Sequence, residues 1–288
     1  MNSVNATAPL NLISNIDVLD KCSVICEYKS NYPACRGTIK NKGSYLSIIM
    51  DQCNVDVTYN REKFALEEVR IYQPSLHAWD NKKADGEIII IHKRKRINDK
   101  PDECFVCIPI KMGGAGNQWF SFMAMVPPFY ENSEPVAKSI NIPNWTLNTI
   151  IPQGNYYNYQ ATSPLNGHNG SVEIIVYSLD QAVICSLSDY NMLKASLPKE
   201  FNITPRQYDK DRVHKLYYHI DAKDDGPEYY LDCTKVDDGD DEQIKEEKVV
   251  VPGRAIKVVW EPILISGGIL VFIGLTIWGW KKFHKSHS

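Results

Sequence analysis

The sequence predicts a mainly β domain with a few short helices, followed by one C-terminal transmembrane helix. Short alternating or apolar runs recur along the chain, Asn, Gly, Pro and Asp separate them, and an uncharged apolar segment lies near the C-terminus. The runs YLSIIM (45–50), EEVRIY (67–72), EIIIIHK (87–93), ECFVCIPI (103–110), WFSFMAMV (119–126) and SVEIIVYSL (171–179) are rich in β-branched and aromatic residues, as strands are. Helical patterning is clearest over 188–201, where Ser188 or Asp189 caps the first turn and Pro198 ends it. A hydrophobic share of 43% with 23% charged residues argues against global disorder.

The apolar segment runs from Ile263 to Trp280 without a charge and is followed by Lys281 and Lys282. As a helix it covers roughly 27 Å, close to the ~30 Å of a hydrocarbon core. Trp260, Trp278 and Trp280 stand where interfacial aromatics belong. The first residues, MNSVNATAPLNLISNIDVLDK, carry neither a basic nor an apolar region, so no secretory signal is expected. The missing signal places the large domain on the cytosolic side, whereas the basic flank places the tail there. A virion membrane derived from cytosol-exposed membrane reconciles the two. The expected partition is a domain over 1–220, an acidic stalk over 221–259, a membrane helix over 260–281 and a basic tail over 282–288.

Charge supports the stalk. Residues 221–247 hold twelve Asp or Glu against three Lys, a self-repelling composition that stays solvated. Residues 1–220 carry 23 Lys and Arg against 22 Asp and Glu, a charge of plus one. Their one dense basic run is Lys93, Arg94, Lys95 and Arg96. Such a run reads as a solvated edge or as a polyanion contact. Aromatic interleaving is missing from it, so no nucleic-acid partner is expected.

Eight cysteines are present. Cys104 and Cys107 form a CxxC, but on a strand residues three apart face opposite ways. Cys22 and Cys26 have a spacing that lets them approach each other or Cys35, no paired metal spacing occurs, and reduced structural thiols are the default. Cys233, in the polar stretch, is the candidate for an intermolecular disulfide. Among the histidines of residues 1–220 only His214 and His219 are close in sequence, at a spacing that suits no metal pair, and His168 in LNGHNGS reads as a surface turn residue.

Several separated segments carry a resemblance. Ala8-Pro9-Leu10-Asn11-Leu12, the turn Lys40 to Leu46, the stretch Phe64 to His77, the strand Gly86 to Lys93, and Tyr156 to Pro164 follow one another in the order found in α-carbonic anhydrases. The chain resembles that family over residues 8–200. The resemblance implies a central, mostly antiparallel ten-stranded sheet. It also implies a site where three histidines hold zinc and leave a fourth position open for hydroxide.

At the matching positions stand Arg70, Tyr72 and Ile89. A guanidinium, a phenol and a hydrocarbon cannot make that site. The family's glutamine behind the first ligand is matched by Glu68, its gating glutamate by Leu76, and its threonine falls near Leu165. His77, Glu87 and His92 match positions that buttress the sheet, and Glu87 is expected to pair with Arg70 across the former metal floor.

The chain therefore resembles a catalytically inactive branch of the family, of the kind displayed on poxvirus envelopes. That implies no enzyme activity, no cofactor and no metal. It implies a single-pass virion membrane protein whose exposed domain binds sulfated glycosaminoglycan, chondroitin or heparan sulfate, through Lys93 to Arg96. Membrane lipid through the C-terminal helix, a homodimer and a membrane-protein partner complete the expected contacts. The alternative is a structural or protein-binding membrane component. A zinc carbonic anhydrase is the reading the residues oppose.

Overall fold

In a computed structural model of the chain, the structure describes residues 8–14, 19–22, 26–51, 53–95, 101–163, 165–168, 170–199, 201, 203–208 and 216–219. Backbone contacts separate Met1–Pro227 from Glu228–Ser288. Everything below belongs to the first unit.

Ten strands form the main path of a twisted sheet. From edge to edge they are Ala137–Ile140, Arg36–Asn41, Leu46–Asp51, Glu62–Tyr72, Gly86–Arg94, Glu103–Met112, Ser171–Tyr177, Tyr156–Thr162, Leu216–His219 and Asp20–Cys22. Neighbours are antiparallel except Glu103–Met112 beside Ser171–Tyr177 and Leu216–His219 beside Asp20–Cys22. The central strands are continuous apolar runs because both faces are covered. Among the described residues Leu187–Ser196 is the one α-helix, capped by the Ser186 hydroxyl, which accepts from the Asp189 amide.

Each face of the sheet has its own core. Ile88, Ile90, Cys104, Val106 and Ile108 point into one that includes Trp119, Phe122 and Trp145. The alternate residues Ile89, Ile91, Phe105 and Cys107 point into the other, with Tyr72, Tyr159 and Leu216. Cys104 and Cys107 thus face opposite ways.

Two glycines are needed for close approach. A Cβ on Gly86 would lie 2.8 Å from the Tyr72 carbonyl oxygen, where the two central strands meet. Gly43 has φ +84° under the Phe129 ring, in a turn closed by Asn41 Oδ1 accepting from the Gly43 amide at 2.9 Å.

Two expectations are corrected. Cys22 is bonded to Cys26 and Cys35 to Cys53, so four of the cysteines read as reduced thiols are cross-linked, and Cys104, Cys107 and Cys185 are free and buried. The first bridge ties an edge strand to the chain that leads into the next, and the second brings together loops 18 residues apart. The spacing of Cys22 and Cys26 left their approach open, whereas the contact of Cys35 with Cys53 is not local enough to be read from cysteine spacing.

The β-dominant fold with few short helices stands, but the transmembrane helix does not. Among the described residues no helix is long and apolar enough to cross a membrane. The segment 260–281, like the stalk, the basic tail and Cys233, lies outside the described residues. The single-pass anchor, the lipid contact through it and the placement in a virion membrane are withdrawn.

Candidate functional site

The two longest central pairings converge on one face of the sheet. Period-2 alternation puts Glu68, Arg70 and Tyr72 on the same face of their strand. The register sets Ile91 opposite Glu68, Ile89 opposite Arg70 and Glu87 opposite Tyr72. Arg70, Tyr72 and Ile89 therefore share a floor, all buried.

Arg70 is held there by its neighbour. Its Nε donates to Glu68 Oε2 at 2.8 Å, its Nη2 donates to the Asn166 carbonyl at 3.0 Å, and its guanidinium lies 4.7 Å over the Tyr45 ring. Glu68 Oε1 accepts from the Ser47 hydroxyl. Burial pushes the Glu68 carboxyl up, but hydrogen bonds from His168, Arg70 and Ser47 outweigh it and bring the pKa down to about 2. The expected Arg70–Glu87 pair does not form. Glu68 shares the face two residues away on the same strand, whereas Glu87 is claimed elsewhere.

Glu87 is fully buried beside His77. Its Oε2 accepts from the backbone amides of Leu76 at 2.6 Å and His77 at 3.0 Å, and its Oε1 meets His77 Nδ1 at 2.5 Å. His77 Nε2 lies 2.6 Å from the Tyr159 hydroxyl. Burial raises the Glu87 carboxyl, and the His77 ring and the amide donors more than reverse it, so it stays below its ordinary value. The cluster pins the turn after Tyr72 to the neighbouring strand.

His92 faces the other core. Its Nδ1 donates to the Cys104 carbonyl at 3.1 Å and its Nε2 accepts from the Tyr32 hydroxyl at 2.6 Å, which in turn meets Tyr28. Burial lowers its pKa to about 4, so it is neutral in this tautomer.

The sequence reading missed His168. It is buried rather than a surface turn residue: Nδ1 lies 2.6 Å from Glu103 Oε1 and Nε2 lies 3.5 Å from Glu68 Oε2. Its hydrogen bonds to Glu103 and Glu68 raise its pKa to about 9. Glu103 and His168 are 65 residues apart, and no spacing rule joins them. Beside them, Ile91 pairs with Glu68 and His92 with Leu66, leaving Glu67 as the extra residue of a β-bulge. Leu76 and Leu165, at the places of the gating pair, are buried hydrocarbons.

The basic run is broken up by the strand. Arg94 is buried, its Nη1 3.4 Å from Glu62, its Nε donating to the Pro101 carbonyl at 3.0 Å, and its guanidinium 4.8 Å from the Phe64 ring. Lys93 and Lys95 are exposed, and Arg96 lies outside the described residues. Lys93 stands opposite Glu103 in register, at the edge of a group with two more carboxylates. A four-charge polyanion contact is not built here, and the expected glycosaminoglycan, homodimer and membrane-protein partners are withdrawn.

No protein-family model and no curated protein matches the chain. Solved structures do. The chain is similar to an α-carbonic anhydrase from Thermovibrio ammonificans, at 16% identity and a TM-score of 0.60 over 74% of this chain and 86% of that one. It is also similar to a carbonic anhydrase from Chlamydomonas reinhardtii, at 15% identity and a TM-score of 0.62, over 75% and 92%. The domain has the α-carbonic anhydrase fold. Dioscorin, solved as a complex with ascorbate, is similar at 15% identity and a TM-score of 0.58, over 76% and 87%.

The zinc ion that the α-carbonic anhydrase fold implies does not suit the residues on this floor. Arg70 is cationic and already paired, Tyr72 is a phenol pushed up by burial, and Ile89 offers no donor atom. Among the described residues, the groups whose metal-competent atoms lie within 4.8 Å of one another are His77, Glu87 and Cys107, and Glu67, Glu103 and His168. Neither is a three-histidine set.

Proposed function

We propose that this domain is a catalytically inactive carbonic-anhydrase-fold domain, whose role rests on its scaffold and surface and not on CO2 hydration. The observation that carries the reading is the Arg70–Glu68 pair, which sets a neutralised guanidinium where the resemblance puts the first metal ligand. Hydration in this fold needs a metal-bound hydroxide, and Arg70, Tyr72 and Ile89 supply none of the neutral nitrogen donors that would hold it. Leu76 and Leu165 add no hydrogen bond to orient it.

The test is stopped-flow CO2 hydration by the full chain, with and without added zinc. The expected rate is that of the buffer in both. Acceleration that scales with protein concentration and is blocked by a sulfonamide would overturn the reading.

A further inference from the structure

We propose that Glu67, Glu103 and His168 form a binding site for one divalent first-row cation, with zinc as the reference ion, at the rim of the floor and distinct from the Arg70, Tyr72 and Ile89 positions. One ligand atom from each residue lies within 4.8 Å of the others, a spread that small side-chain rotations close onto a single ion. The donor set is one imidazole nitrogen and two carboxylate oxygens, a borderline mixture that suits zinc and its neighbours better than calcium or magnesium.

Charge points the same way. His168 lies between two carboxylates, Nδ1 2.6 Å from Glu103 and Nε2 3.5 Å from Glu68, so its imidazolium is the positive charge the site already holds and the one a divalent cation would replace. Lys93 lies opposite Glu103 in register but is exposed, so its ammonium stays in water. Binding displaces the His168 proton to solvent: cation and protonated site give bound cation and one free proton.

Access and support also suit an ion. Glu67 is exposed at the bulge, Glu103 is half-buried and His168 is buried, so the site opens outward from a fixed imidazole. The Phe105 ring meets His168 edge-on at 6.1 Å and holds its plane. The other cluster offers no such site. All three residues are closed off from solvent, one Glu87 oxygen is held by two backbone amides, and burial holds the Cys107 thiol far from ionising.

The experiment is isothermal titration of zinc chloride into the full chain after EDTA treatment and desalting. One zinc per chain is expected for the wild type. Glu67→Gln, whose exposed side chain makes it safe for folding, and Glu103→Gln should each weaken binding by about tenfold or more. Glu131→Gln, an exposed carboxylate on another segment, should leave it unchanged. Absence of a stoichiometric site, or wild-type affinity in both Glu67→Gln and Glu103→Gln, overturns the proposal. The hydration assay separates this from the inactive-domain reading: zinc bound at this site without hydration supports both, and hydration that survives loss of this site contradicts only the latter.

Discussion

Arg70 Nε and Glu68 Oε2 are 2.8 Å apart across two residues of one strand, and both side chains are almost wholly out of water. The spacing is the shortest that keeps two side chains on one face, so the pair forms without help from loop geometry. Ser47 and His168 take up further acceptor capacity of the carboxylate, and Asn166 and Tyr45 take the guanidinium. A polar network thus occupies the floor, with Arg70 Nη1 and the Tyr72 hydroxyl buried beside it without a hydrogen-bond partner among the described residues.

Breaking that network from one side strands a buried charge. Glu68→Gln is expected to cost about 3–5 kcal/mol, because Arg70 is left without its carboxylate. Glu68→Leu combined with Arg70→Met should recover much of the loss, since a well-packed apolar pair needs no desolvation. Urea denaturation of the wild type and the two variants checks this. A double variant as unstable as the single one would show that the pair is not the coupled unit described.

The same network fixes a pH window. His168 has a folded pKa of about 9, raised from 6.5, so its contribution is complete below 6.5 and is lost as pH rises through 9. Glu68 is lowered from 4.5 to about 2, so its contribution is complete above 4.5 and is lost as pH falls through 2. The two overlap fully between pH 4.5 and 6.5. Thermal unfolding with EDTA present should show a decline between pH 6.5 and 9 that His168→Gln removes. Parallel declines in the two proteins would place the titrating group elsewhere.

Much of the fold was legible because strand periodicity is local. EEVRIY and EIIIIHK each declare a face, which sets Arg70 beside Tyr72; that Ile89 joins them was implied by the resemblance and is carried by the register. The burial of Arg94 between exposed Lys93 and Lys95 was not read from the basic run, although strand alternation carries that signal. Partners set by loops were not legible. His168 meets Glu103 through a turn whose path no local rule fixes, and Cys35 meets Cys53 by the same kind of non-local closure. Two acceptors near Arg70 competed, and only the register decides for Glu68 over Glu87.

The two bridges have a direct chemical readout. Alkylation of the denatured, unreduced protein followed by peptide mass spectrometry should label Cys104, Cys107 and Cys185 and leave Cys22, Cys26, Cys35 and Cys53 in cross-linked peptides. Alkylated Cys35 or Cys53 without prior reduction would contradict the second bridge. Protein made in an oxidising compartment is the proper material, because cytosolic glutathione and thioredoxin keep thiols reduced.

Glu87 offers the sharpest contrast between a site residue and a scaffold residue. Its carboxylate accepts from two backbone amides and one imidazole nitrogen with no exposure to water. An amide there keeps one acceptor oxygen and turns an NH2 group toward a donor, so Glu87→Gln leaves buried donors unsatisfied at about 1–3 kcal/mol each. The expected loss is therefore about 2–4 kcal/mol in urea denaturation. Zinc affinity at Glu67, Glu103 and His168 should be unchanged, since Glu87 shares no partner with them. A stable Glu87→Gln protein would mean that the turn at Leu76 and His77 holds its shape without this carboxylate, and that the floor is positioned by the strands alone.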